Sequence, residues 1–327
     1  MNAVEKVVRV VDGFQRRHTV PSFVFGVVKK FGDDSAGTLA ALIAYYGFLS
    51  VFPLLLVLTT LLGIFFAHDA ALQTRIVDSA LGQFPIVGKQ LAGPPPFGVS
   101  SLRAGSAVGL TVGLLGLLWG SLGVSQAAQR AMAEVWNVPG VIRPGFLPRL
   151  GRSAEFLALL AVDVALTTFL VGQATIGHGP LWSQIIAVIV SLAVNVLLYM
   201  LGFRILTPKS IAFDCLVPGA VLAGLGWTVL QYAGTLLVGH TLRHANEVYG
   251  YFGSVLGLIS FLYLAAELTV YAAEVNVVLK RKLYPRSMVQ PPLTAADLAV
   301  LSAVATQGER RPEQRVSVEF TPTPGNE

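Results

Sequence analysis

The chain has 327 residues, of which 54% are hydrophobic and 13% charged, with a mean hydropathy of +0.67 and 23 Lys and Arg against 18 Asp and Glu. That length would ordinarily suggest two soluble domains, but this composition excludes them and describes a membrane protein. The single cysteine, Cys215, excludes an internal disulfide and a cysteine-based metal cluster.

In chain order, residues 1–38 read as a cytoplasmic amphipathic segment. In VEKVVRVVDGF the side chains Val4, Val7, Val8 and Val11 share one helical face, with Lys6, Arg9 and Arg16 elsewhere. Such a helix lies on anionic lipid. No short apolar core with a small-residue cleavage site precedes the first long apolar run, so the sequence predicts no cleaved signal peptide.

Residues 39–283 then supply six apolar runs, at roughly 39–67, 104–126, 154–177, 181–206, 213–239 and 252–279. A hydrocarbon core of ~30 Å needs about 20 such residues per helix. The expected fold is therefore all-α and polytopic, with six transmembrane helices. A β-barrel would need short segments of alternating polarity, whereas LLLVLTTLLGIFF and AVIVSLAVNVLLYM are apolar on every side. Of the 23 basic residues, 19 fall before the first span, after the second, after the fourth or in the tail. Cytoplasmic loops retain Lys and Arg, so both termini are expected in the cytoplasm. The pI of about 9.4 thus describes topology, and no nucleic-acid partner is expected. The 36 residues between the first two runs predict a short amphipathic helix and then an irregular PPP stretch. Residues 284–327 predict a cytoplasmic tail with one short helix in TAADLAVLSAVA, begun by a Thr and Asp spaced as in a capping box, and otherwise largely disordered.

Gly105, Gly109, Gly113, Gly116 and Gly120 make a small-residue stripe on the second span, and Gly219, Ala220, Ala223 and Gly224 another on the fifth. Such stripes serve bundle packing, a sliding gate or a homo-oligomer contact; membrane lipids are the other expected partners.

Polar groups at membrane depth carry whatever chemistry there is, since a buried charge there is costly and faces a bundle interior or a wet cavity. Counting ~1.5 Å per residue from the loops gives two levels. Ser50, Pro53, Asp163, Asn195 and Glu267 fall near the midplane. Tyr45, Tyr46, Glu274 and Asn276 fall nearer the cytoplasm. No Lys or Arg lies within the third, fifth or sixth span, so each carboxylate must be protonated, reach water, or meet a cation. That pattern suits a ligand or proton path, or a site for an amine-bearing head group. The structural alternative has Asn195 bridging helices and the carboxyls satisfied by neighbours. His240 and His244 stand four apart without a third ligand, and the sequence predicts no metal site, no cofactor and no catalytic residue. No glycine-rich phosphate loop, nucleophile elbow or HExxH motif appears. Trp136, Trp182, Tyr249, Tyr251 and Phe252 are expected in interfacial belts.

AALIAYYGFLSVFPLLLVL, LLWGSLGVSQAAQRAMAEVW, LVPGAVLAGLGWTVLQYA and VYGYFGSVLGLISFLYLAAELTVYAAEVNVVL together resemble the YihY/BrkB family of bacterial inner-membrane proteins, once labelled ribonuclease BN. The likeness covers roughly residues 30–283. Its most specific pieces are the Ala-Tyr-Tyr to Ser-x-x-Pro run, Tyr249-Gly250, and Glu274-x-Asn276. The chain departs from the family at Ala272, Ala273, Phe261 and Tyr263, and Glu267 looks like an addition. The resemblance implies six helices, a multi-pass bacterial inner-membrane location and an envelope transport role, including transport of lipids. A non-transporting scaffold is the alternative. The implied nuclease label does not fit, because the carboxylates that align lie within the bilayer and the histidines are scattered.

Overall fold

The computed structural model describes residues 3–65, 107–174, 181–240, 242–290 and 292–321. Nine α-helices run through them: α1 Ala3–Arg17, α2 Thr19–Asp33, α3 Ala36–Phe65, α4 Ala107–Val135, α5 Phe146–Ala174, α6 Leu181–Leu206, α7 Val217–His240, α8 Leu242–Arg281 and α9 Ala295–Thr306. Among the described residues there is no strand. Stretches long and apolar enough to cross a membrane are Thr111–Val135, Val188–Leu206, Phe213–Gly234 and Val255–Arg281. Two further long helices, α3 with 30 residues and α5 with 29, join them. The segment between α3 and α4, with its expected short helix and PPP stretch, lies outside the described residues, as do the side chains of His240, His244, Tyr249, Tyr251 and Phe252.

Small residues hold the bundle together. Ala36, Ala40 and Ala44 of α3, Ala128 and Ala131 of α4, Ala220 and Ala223 of α7, and Ala272 and Ala273 of α8 are buried. Ile185, Ile186, Ile189 and Leu197 of α6 point outward, as do Val112, Leu115 and Trp119 of α4. Small inside and large apolar outside is the arrangement of helices packed in lipid, where the surrounding solvent is itself apolar and close backbone approach supplies the attraction. The α3–α4 pair is the most extensive contact, and α8 packs on α2, α3, α4 and α7.

Glycines set the α3–α4 distance. A Cβ on Gly116 would fall 3.0 Å from the Pro53 ring, and one on Gly120 would fall 2.9 Å from the Ser50 Cα. The ring of Tyr46 occupies the space over Gly123. This half of the glycine stripe, offered above as a possible homo-oligomer face, is thus taken up by α3 within the chain.

The terminal segments depart from the expected layout. Ahead of α3 the described residues hold two helices with a break at His18, and both contribute to packed structure. α1 turns its polar side inward: Asp12 and Gln15 are buried while Val7, Val10, Val11 and Phe14 are exposed. The tail does not hang free as expected from its composition. Gln15 Nε2 donates to the Arg286 carbonyl at 2.6 Å, Met288 N donates to Asp12 Oδ1 at 2.8 Å, and Arg16 reaches Ser287 Oγ at 2.5 Å. α9 begins with the predicted capping box, Thr294 and Asp297 exchanging hydrogen bonds with each other's backbone. Beyond it, Gly140 N and Val141 N donate to the carbonyls of Gln307 and Glu309. A Cβ at Gly140 would lie 2.9 Å from the Glu309 carbonyl oxygen, so only glycine admits that pairing.

Candidate functional site

α4 ends in a Schellman turn. Asn137 has φ 47°, its N–H donates to Glu134, and Val138 N donates back to Ala133. The last carbonyls of the helix remain to be satisfied, and its C-terminal dipole favours cations. Two arrive from elsewhere in the chain. Lys30 of α2 donates to the Val135 carbonyl at 3.0 Å, and Arg281 at the end of α8 donates to the Trp136 carbonyl at 2.6 Å. Trp136 is accordingly buried in this joint and not in an interfacial belt.

Lys30 is fully buried, as is Glu274 of α8, and their charged atoms are 3.4 Å apart. Asp34, one turn after Lys30, pairs with the same ammonium and accepts from Asn137 Nδ2 at 3.2 Å. The ammonium thus donates to Asp34 and to the Val135 carbonyl, while Glu274 faces it as an ion pair whose carboxylate oxygens, among the described residues, accept no hydrogen bond. Burial pushes the Asp34 carboxyl above its ordinary value, against the opposing pull of Lys30. This junction gathers two carboxyls around one cation, with Glu274 fully buried. The cation that Glu274 was expected to need comes from α2, ahead of the first span.

Asn276 lies two residues on, which turns it to another side of α8. Its Oδ1 accepts from Gly219 N at 2.6 Å. Gly219 is in the first turn of α7, where N–H groups lack intrahelical partners, so Asn276 serves as a cap supplied by a neighbouring helix. The absent side chain at Gly219 makes room, since a Cβ there would collide with the Asn276 amide and the Ala272 carbonyl. Glu274-x-Asn276 therefore joins α8 to α2 on one side and to the start of α7 on the other.

The remaining candidates are dispersed. Tyr45 is exposed and lines a shallow groove of about 190 Å³ with Ala41, Phe48, Ile259 and Tyr263. Tyr45 is thus level with the middle of α8 and not with Glu274, which the depth count had placed beside it. Helix α3 begins at Ala36, so the α2–α8 junction lies before its first turn and Tyr45 more than two turns along. Tyr46 faces α4. The Ser50 hydroxyl donates to the Gly47 carbonyl at 2.7 Å within its own helix, and Pro53 sits against Gly116. Asn195 donates to Thr228 Oγ1 of α7 at 3.2 Å, bridging helices as the structural alternative required. Asp163 is half-buried within electrostatic reach of Tyr199 on α6, which in turn lies beside Thr269 of α8. Glu267, half-buried, stands one turn before Tyr271. Neither described groove is lined by Glu274.

A second ionic cluster, unforeseen from sequence, fastens the tail. Asp297 accepts from Lys29 at 2.8 Å and from Arg286 Nε at 2.7 Å, while Arg286 also meets Asp33 at 2.7 Å. Burial alone would raise the Asp297 carboxyl, but hydrogen bonds from Lys29, Arg286 and Thr294 hold it well below the ordinary carboxylate range. Among the described residues no three His, Cys, Asp or Glu side chains gather in a way that could hold a metal.

Residues 27–295 match the family model described as virulence factor BrkB. The chain is 26% identical over 292 residues to the inner membrane protein YhjD of Escherichia coli (strain K12), covering 83% of this chain and 84% of that one. It is 24% identical over 279 residues to a putative ribonuclease-like protein, YfkH, of Bacillus subtilis (strain 168), covering 81% of this chain and 98% of the relative. No solved structure matches it.

Proposed function

The chain belongs to the BrkB family and is a multi-pass protein of the bacterial inner membrane, and from that premise we propose that it is an envelope transporter of flippase-like type. Its spans are α3 to α8, six in number, with both termini in the cytoplasm. The observation that carries this reading is the Lys30–Asp34–Glu274 junction, three ionisable groups withdrawn from water where α2 meets α8. Desolvating such groups is costly, and within membrane proteins they mark ion, proton or substrate routes. In this reading a proton resides on the Asp34–Glu274 pair and its loss or gain loosens α2 from α8. Asp163, beside Tyr199, supplies a second ionisable position deeper in the bundle.

A proteoliposome transport assay with a fluorescent lipid tests it. Glu274→Gln and Asp163→Asn are expected to abolish transfer while the protein still purifies as a folded, monodisperse species. Full activity of both variants would sink the mechanism.

A second reading, a non-transporting membrane scaffold, draws on a different observation: Glu274, Asn276 and Asn195 all find partners within the chain. It expects the same substitutions to alter stability alone. A nuclease role, which the name of the Bacillus relative raises, is not proposed. The described carboxylates that come together, Asp34 with Glu274 and Asp33 with Asp297, each face a lysine or arginine of this chain.

A further inference from the structure

Between α3, α4 and the start of α5 runs a groove of about 450 Å³ that none of the residues discussed as a transport path accounts for, except Tyr46 on its wall. Four arginines line it: Arg130, Arg143, Arg149 and Arg152. One carboxylate, Glu134, pairs with Arg143 at 3.1 Å and lies 3.7 Å from Arg130. Among the described residues Arg149 and Arg152 meet no carboxylate, so the groove carries an excess of positive charge. Gln129 also lines it and is 6% exposed. Its Nε2 is engaged by Ser125, Ser153 and the Arg149 carbonyl, which fixes the amide and leaves Oε1 buried without a donor. The site therefore offers guanidinium groups for an anion beside a buried amide with an unsatisfied oxygen.

The chain segment that supplies Arg143 and Arg149 indicates where such an anion comes from. Ile142 is 63%, Phe146 67% and Leu147 76% exposed, immediately before and within the first turn of α5. Large apolar side chains beside arginines at the end of an apolar bundle fit the boundary between headgroups and acyl chains, where basic pockets between helices hold lipid headgroups. Arginine matches phosphate oxygens bidentately, which a solvated surface charge does not do.

We propose that this groove binds the phosphate of an anionic glycerophospholipid from the surrounding bilayer, with Arg149 and Arg152 on the phosphate. Binding here stands independently of transport, because none of the residues altered in the transport assay lines the groove.

The test is native mass spectrometry of the full chain titrated with phosphatidylglycerol or phosphatidylcholine. The variant Arg149→Gln with Arg152→Gln is compared with Arg310→Gln with Arg311→Gln, an equal charge loss on the exposed tail. The expected result is preferential phosphatidylglycerol binding that weakens about tenfold or more in the groove variant, the equivalent of losing a charge-assisted hydrogen bond, and is unchanged in the tail variant. Arg149→Lys with Arg152→Lys, which keeps the charge and the fold, is expected to fall between them. Equal loss in groove and tail variants, or no preference over phosphatidylcholine, overturns the proposal. Displacement of the lipid by inorganic phosphate at comparable concentration overturns it too, by assigning the groove to a soluble anion.

Discussion

Lys30 shows how a buried charge is accommodated in this protein. Its ammonium leaves water entirely, a loss of several kcal/mol in real proteins, and regains two carboxyl partners and the carbonyl end of α4. Asp297 plays the reciprocal part for the tail, one carboxylate receiving Lys29, Arg286, Thr294 and the Ser287 N–H. Its folded value lies below the unfolded one, so its contribution to stability is complete above the ordinary carboxylate value and is lost as pH falls toward the folded value. Asp297→Asn is therefore expected to lower stability at pH 7 by more than about 2 kcal/mol, as removal of a charged hydrogen-bond partner does. The deficit should narrow as pH drops below about 4. Thermal unfolding in detergent across pH 3–7 checks both halves; a pH-independent deficit would mean that packing, not charge, holds the tail. Glu274 and Asn276 were legible as polar groups that a span must satisfy. Their partners were not, because Lys30 and the Gly219 N–H are distant in sequence and carry no periodic signal.

At the scale of elements, the apolar runs were readable because twenty lipid-compatible residues leave few alternatives to a helix. Their packing faces were only half readable. Glycine spacing on α4 announced a close contact, yet the same spacing serves a neighbour in the chain or a second copy, and only the structure shows Ser50 and Pro53 of α3 against it. The difference matters for substitution. A Cβ at Gly120 meets the Ser50 backbone, which cannot swing aside, whereas one at Gly145 meets nothing within 4 Å. Gly120→Ala is accordingly expected to destabilise the bundle by about 1–3 kcal/mol, the usual consequence of overpacking, and Gly145→Ala to leave it unchanged. Unfolding of both variants in detergent measures the contrast, and equal stability would show that α3 and α4 separate more freely than their glycines imply. The amphipathic pattern of the N-terminal segment was legible too, but not the partner of its polar face. An amphipathic pattern reports that one face is apolar and not which face is covered, and in α1 the polar face is the one buried.

At the scale of the whole molecule, the clearest consequence is that the two ends of the chain meet. Gln15, Arg16 and Lys29 contact Arg286, Ser287 and Asp297. Chain ends that pack together lie on one side of a bilayer, which requires an even number of crossings between α2 and residue 284. Six crossings satisfy that requirement, and so would four, so the identity of that side and the number of spans need separate readouts. With Cys215→Ser as background, cysteines at Arg16 and Ser287 are expected to join within one chain on adding a short bis-maleimide. In intact cells both should resist a membrane-impermeant maleimide, and both should react once the inner face is opened. A third cysteine at Arg103, before α4, is expected to show the opposite pattern, and one at Arg149 to follow the termini. Labelling of either terminus from outside would overturn the cytoplasmic assignment. Protection of Arg103→Cys in intact cells would remove the α3–α4 hairpin and leave four spans. Failure of the termini to join would place the tail clamp, and with it the sequestered Lys30 junction beside it, outside the protein's native arrangement.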